Sequence, residues 1–123
     1  MRPQRSRLIS KLDKEWAKQI RSVGHCEYEG CNKITNLNAH HIYGRGARST
    51  RWELDNGICL CVNHHIFSNE FSAHQTPLDF ANWLIKSRGD KWYENLESKH
   101  KEIVKFTIQD LKDKLKELIL HED

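Results

Sequence analysis

The sequence predicts an α+β fold, with a short strand–loop–strand–helix centre between helical ends. Three observations carry this. Apolar residues recur at three- and four-residue spacing near both ends of the chain. Two short runs in the middle, 38–42 and 58–62, read as strands. Four Cys and eight His occur in only 123 residues, and the Cys fall in two places that read as tight turns.

Residues 6–22 form the first predicted helix, because Leu8, Leu12, Trp16 and Ile20 share one face and polar residues fill the gaps. Gly24 ends it. Residues 25–38 are rich in turn formers around Gly30 and suggest a knuckle. A strand over 38–42 (Asn-Ala-His-His-Ile) follows, then a loop over 43–57 with three Gly and three Arg. The second strand spans 58–62, and Asn63 opens a helix through His65, Ile66 and Phe67. Thr76-Pro77-Leu78-Asp79 reads as a helix start, with Thr76 as N-cap and Pro77 in the first turn, and Gly89 as its stop. A further helix begins at Asp90. In the last segment Val104, Ile108, Leu111, Leu115 and Leu118 make a stripe that suits either a dimer seam or packing within the chain. Three segments result: a basic N-terminal helical arm (1–23), a core (24–74) and a helical C-terminal extension (75–123).

The hydrophobic fraction is 37% and the charged fraction 30%, so the apolar core should be modest. No run approaches the roughly 18–20 apolar residues that span a bilayer, and the basic N-terminus lacks the apolar run of a secretory signal. These features predict no membrane association and a cytoplasmic location, where thiols stay reduced and serve as metal ligands. The net charge of +3 is unevenly spread. Residues 1–22 hold seven Lys or Arg against two acids. Arg45, Arg48 and Arg51 form a second basic cluster directly after a His pair. That distribution suits a polyanionic partner.

Cys26 and Cys31 bracket one turn, and Cys61 and His64 form a Cys-x-x-His turn thirty residues later. Together they suit a tetrahedral structural zinc site, with Cys59 competing with Cys61 for one position. Two His pairs remain. Neighbours on a strand point to opposite faces, so His64 can serve the zinc while His65 turns toward a second site. His40 can share that second site, which frees His41 to meet a substrate. Asn69, four residues after His65, is a candidate third ligand on a continuing helix, with His74 and His25 behind it.

These residues resemble the HNH endonuclease family. The likeness runs through Cys26-x4-Cys31, Ala39-His40-His41-Ile42, Asp55-Asn56-Gly57 and Leu60-Cys61-Val62-Asn63-His64-His65, about residues 24–70. A more distant likeness is to the lambdoid-phage recombination nucleases, through Gly44-Arg45-Gly46 and Arg51 to Asn56. The resemblance implies a ββα-metal core and hydrolysis or nicking of DNA phosphodiester bonds. It implies one catalytic divalent ion on His40 and His65, with His41 as general base. Asn56 would brace the loop or orient the base. Arg45, Arg48 and Arg51 would meet flanking phosphates. Imidazole ligands leave the ion open among Mg²⁺, Mn²⁺, Ni²⁺, Co²⁺ and Zn²⁺. The implied partner is double-stranded or branched DNA in phage or prophage recombination, packaging or homing. The C-terminal helices would serve a homodimer or a phage protein partner. The competing expectation is a non-catalytic zinc-knuckle module that binds DNA or acts as an adaptor.

Overall fold

A computed structural model describes residues 2–121. The first helix, α1, runs Arg2–Arg21, longer at its start than the apolar pattern alone implies. Pro3 is tolerated there because the first turn has no amide partners to lose. Gly24 adopts a left-handed φ of 85°, and its amide closes on the Arg21 carbonyl at 3.0 Å. After the knuckle, strand β1 covers Leu37–His41. The expected loop is partly helical, with a single turn, α2, at Arg48–Arg51 and a 3-10 turn at Leu54–Asn56. Strand β2 covers Gly57–Cys61 and pairs antiparallel with β1, placing Leu37 opposite Cys61 and His41 opposite Gly57.

The helix expected from Asn63 is a five-residue π turn that ends at Phe67. The chain then doubles back. The amides of Ala73 and His74 take the carbonyls of His64 and His65, at 2.8 and 3.0 Å. Those carbonyls are thereby withdrawn from any continuing helix. Helix α3 (Pro77–Arg88) starts and stops where expected, with Gly89 at φ 97°. Thr76 does not cap it through its side chain. Its hydroxyl instead bonds the amide and carbonyl of Ser72, both at 2.9 Å, and so shapes the preceding turn. Helices α4 (Asp90–His100) and α5 (Ile108–Leu120) complete the chain. A reciprocal capping box between Thr107 and Asp110 opens α5, so Val104 lies outside it.

Two apolar clusters share the sheet. One joins Leu12, Trp16 and Ile20 of α1 to Trp52, Cys59 and the α5 residues Leu111 and Leu118. The terminal stripe is therefore covered by α1 of the same chain. The other cluster gathers Ile58, Leu60 and Cys61 with Ala73, Phe80 and Leu84. Gly57 lets α1 approach the sheet: a Cβ there would lie 2.7 Å from Trp16 Cζ2 and closer still to Ile20. Among the described residues, no helix is long and apolar enough to cross a membrane.

Candidate metal centres

Cys26, Cys31, Cys61 and His64 bring their donor atoms within 4.8 Å of one another. The Cys31 and Cys61 sulfurs lie 4.0 Å apart. His64 Nδ1 is 3.5 Å from Cys26 Sγ and 3.3 Å from Cys61 Sγ. For a tetrahedral zinc with Zn–S of about 2.3 Å and Zn–N of about 2.0–2.1 Å, the edges come to about 3.8 Å for S–S and 3.6 Å for S–N. The cluster is thus already close to the size a zinc ion demands. Burial pushes the Cys26 thiol up to about 12, so the cluster gains from a cation that takes it as thiolate. Tyr28 packs over His64, with ring centroids 4.6 Å apart, and shields it.

Cys59 does not compete. Cys61 packs with the second apolar cluster and Cys59 with the first. Cys59 is sealed in the α1–α5 cluster, where burial and the Glu27 charge raise its thiol to about 11.

A second donor group joins His40, His65 and His74. Ring centroids are 5.0 Å apart for His40 and His65, 5.5 Å for His40 and His74, and 4.7 Å for His65 and His74. The Nε2 atoms of His65 and His74 are 3.2 Å apart. Metal–nitrogen bonds of about 2.0–2.1 Å would separate two ligands by about 2.9 Å in an octahedral and 3.3 Å in a tetrahedral shell, so the spacing admits both. The Asn38 amide sits 3.0 Å from His65 Nδ1. As placed, Asn38 Nδ2 donates to Nδ1 and orients the ring; an ion on Nε2 would require the amide turned over, so that its oxygen accepts Nδ1–H. Burial, then the neighbouring imidazoles, lower His40 to about 3. Burial and His74 lower His65. Both rings are therefore neutral at physiological pH, the form that binds metal.

Asn69 does not occupy the place foreseen for it. The helix that would set it one turn below His65 ends at Phe67, and Asn69 lies exposed in the following bend. His74 takes the third position. His25 joins neither group, and its Nδ1 sits 2.9 Å from the Cys26 carbonyl.

His41 points away from the trio and is half-buried. Its ring stacks on Trp16, with centroids 3.7 Å apart and planes within 9°. Its Nε2–H donates to the Arg51 carbonyl at 3.0 Å. Burial lowers its basicity, opposed by that bond and by the Asp13 charge. Asn56 is fully buried. Its side chain accepts from the Tyr43 amide at 2.8 Å and donates to the Tyr43 carbonyl at 3.0 Å. Of the two roles foreseen for it, the structure shows a brace on the loop after β1.

The three arginines differ. Arg51 forks onto Asp13 of α1, with Nη2 at 2.7 Å and Nε at 3.0 Å, and its side chain is only 12% exposed. It is tied into the fold rather than held out for phosphates. Arg45 touches the same carboxylate at 3.0 Å but is 60% exposed. Arg48 makes no ion pair among the described residues. Asp13 and Trp16 join the surroundings of the predicted site without a motif that marks them. In the sequence Asp13 is one of two acids in a basic helix, and Trp16 is a member of its apolar face.

No family model matches the chain. No curated protein matches it, and no solved structure does.

Proposed function

We propose that this protein is a metal-dependent DNA endonuclease of the HNH type, with a structural zinc on Cys26, Cys31, Cys61 and His64. The observation that carries the reading is the division of the adjacent pair His40 and His41. His40 meets His65 and His74 in a three-imidazole group whose third member is exposed, while His41 faces elsewhere with one nitrogen already engaged. Three ligands with open positions are the pattern of a catalytic rather than a structural site.

An ion held by the trio would neutralise charge on the scissile phosphate and on the leaving 3′-oxygen. His41 keeps Nε2–H on the Arg51 carbonyl, so Nδ1 carries the free lone pair. Nδ1 takes a proton from water as its oxygen attacks phosphorus, and the P–O3′ bond breaks. Arg45, whose side chain is 60% exposed, would meet a flanking phosphate.

Nicking of supercoiled plasmid by the zinc-loaded protein, with Mg²⁺, Mn²⁺, Ni²⁺, Co²⁺ or additional Zn²⁺, tests this. His41→Ala should slow nicking by about 100-fold or more while keeping the zinc content. An unchanged rate, or DNA binding without cleavage under every ion, would leave a non-catalytic zinc-knuckle module instead.

A further inference from the structure

Helix α1 lies outside the residues that carry the endonuclease reading, yet two of its side chains converge on His41. Trp16 lies flat under the imidazole at 3.7 Å, and its own indole N–H is tied to the Glu53 carbonyl at 2.8 Å. The stacking ring therefore cannot swing away from His41 without breaking a bond of its own. Asp13 sits three residues earlier, less than one helical turn away. One of its carboxylate oxygens accepts from Arg51 Nε at 3.0 Å and from Trp52 Nε1 at 2.9 Å, and the other from Arg51 Nη2 at 2.7 Å. The carbonyl that His41 meets belongs to the peptide between Arg51 and Trp52. Asp13 thus holds the side chains on both sides of the one peptide that orients His41.

We infer that Asp13 and Trp16 are positioning residues for His41: Trp16 sets the plane of the imidazole, and Asp13 sets the carbonyl that holds Nε2–H and bares Nδ1. The role rests on the reading of His41 as general base. Geometry explains why two anchors are needed. A ring that only stacks can flip about its own axis and exchange Nδ1 for Cδ2. A ring held only by one hydrogen bond can tilt about that bond. Stack and bond together leave one orientation and one tautomer. The aromatic stack also fills the face of His41 that water would otherwise reach, so the open nitrogen is the edge away from Arg51.

Nitrogen-15 spectra of the histidine rings in the zinc-loaded full chain, joined with plasmid-cleavage kinetics, test this. In the parent protein His41 should be the Nε2–H tautomer. Asp13→Asn should give a tautomer mixture and a fall in kcat of about 10- to 100-fold, with KM within about twofold. Trp16→Phe keeps a ring under His41 and should keep most of kcat, whereas Trp16→Leu should match Asp13→Asn. This aromatic pair decides the matter should Asp13→Asn lose its zinc or its cooperative melting. A parent His41 carrying Nδ1–H would overturn the inference. So would an Asp13→Asn protein with parental tautomer and kcat, or Trp16→Phe and Trp16→Leu with equal kcat. His41→Ala separates the two levels. If it cleaves as the parent does, the endonuclease reading falls with the inference. If it is inactive while Asp13→Asn is parental, the positioning role alone falls.

Discussion

The two donor clusters of this protein share imidazole but are built in opposite ways, with three thiols and one imidazole in the first and three imidazoles in the second. The first has four donors drawn from two tight turns, with Cys26 and Cys61 buried and an aromatic ring over His64. The second has three donors from three separate places, namely β1, the π turn and the returning chain, and its last member, His74, is exposed. A closed shell exchanges nothing with solvent and suits a structural ion, whereas an incomplete one keeps room for water and substrate. Donor type, donor count and burial change together between the two clusters: the filled, thiol-rich set fits a structural ion, and the smaller imidazole set would leave coordination positions free.

The largest expected effect falls on the closed cluster. Structural zinc contributes roughly 10–16 kcal/mol in small zinc domains, comparable to the whole stability of about 5–15 kcal/mol of a typical domain. Cys61→Ser should therefore abolish stoichiometric zinc and cooperative thermal unfolding together, as should chelation of the parent. Cys59→Ala should keep one tightly bound zinc. Loss of that ion from Cys59→Ala, by metal analysis, would redraw the cluster.

The open cluster should fail more gently. Removal of a partner behind a metal ligand commonly costs 10- to 100-fold in affinity, so removal of a ligand should cost at least about 100-fold. Titration calorimetry with Ni²⁺ or Mn²⁺ on the zinc-loaded protein should show that loss for His74→Ala, with melting little changed. Asn69→Ala should bind within about twofold of the parent, as ordinary surface substitutions do. The reverse ranking would make Asn69, rather than His74, the third ligand.

Asn56 braces the loop after β1. Asn56→Ala strands the amide and carbonyl of Tyr43, and each buried orphan costs about 1–3 kcal/mol. The melting temperature should fall while zinc content persists.

The smallest effect concerns acid. Burial alone would raise the carboxyls of Asp13 and Glu53. Bonds from Arg51 and Trp52 outweigh it at Asp13, and Lys114 with Lys99 outweighs it at Glu53, so both are held below the usual carboxylate range. A folded carboxyl with a depressed value adds stability that is fully present above its unfolded value, about 3.9 for Asp and 4.3 for Glu. That stability is lost as pH falls through the depressed folded value. Asp13→Asn should flatten the fall in thermal stability below about pH 4. A parental acid profile in Asp13→Asn would show the Arg51 clamp to be energetically idle.

Much of this architecture was legible locally. The stripe of Leu8, Leu12, Trp16 and Ile20 marks α1. Gly24 and Gly89 mark helix ends. Cys61 and His64 sit at the spacing of a single turn. Each of these signals lies within a few residues, where backbone geometry alone decides which side chains share a face. The helix expected after Asn63 was not legible as a π turn, because its carbonyls are claimed by Ala73 and His74 from farther along. The loop arginines illustrate the same limit: all three read alike, yet only Arg51 meets Asp13 closely enough to be buried.

Local sequence pattern is enough for the donor types, the four-ligand cluster, the two strands around His40 and His41, and the apolar stripes of the terminal helices. Long-range packing settled that His74 joins His40 and His65, that Cys59 belongs to the core, that α5 spends its stripe on α1, and that Trp16 stacks on His41 while Asp13 holds Arg51, whose carbonyl His41 meets. The reason is physical. Spacing within one turn or strand is set by the backbone, whereas the meeting of residues from distant segments depends on how the chain returns and which buried hydrogen bonds that return must satisfy.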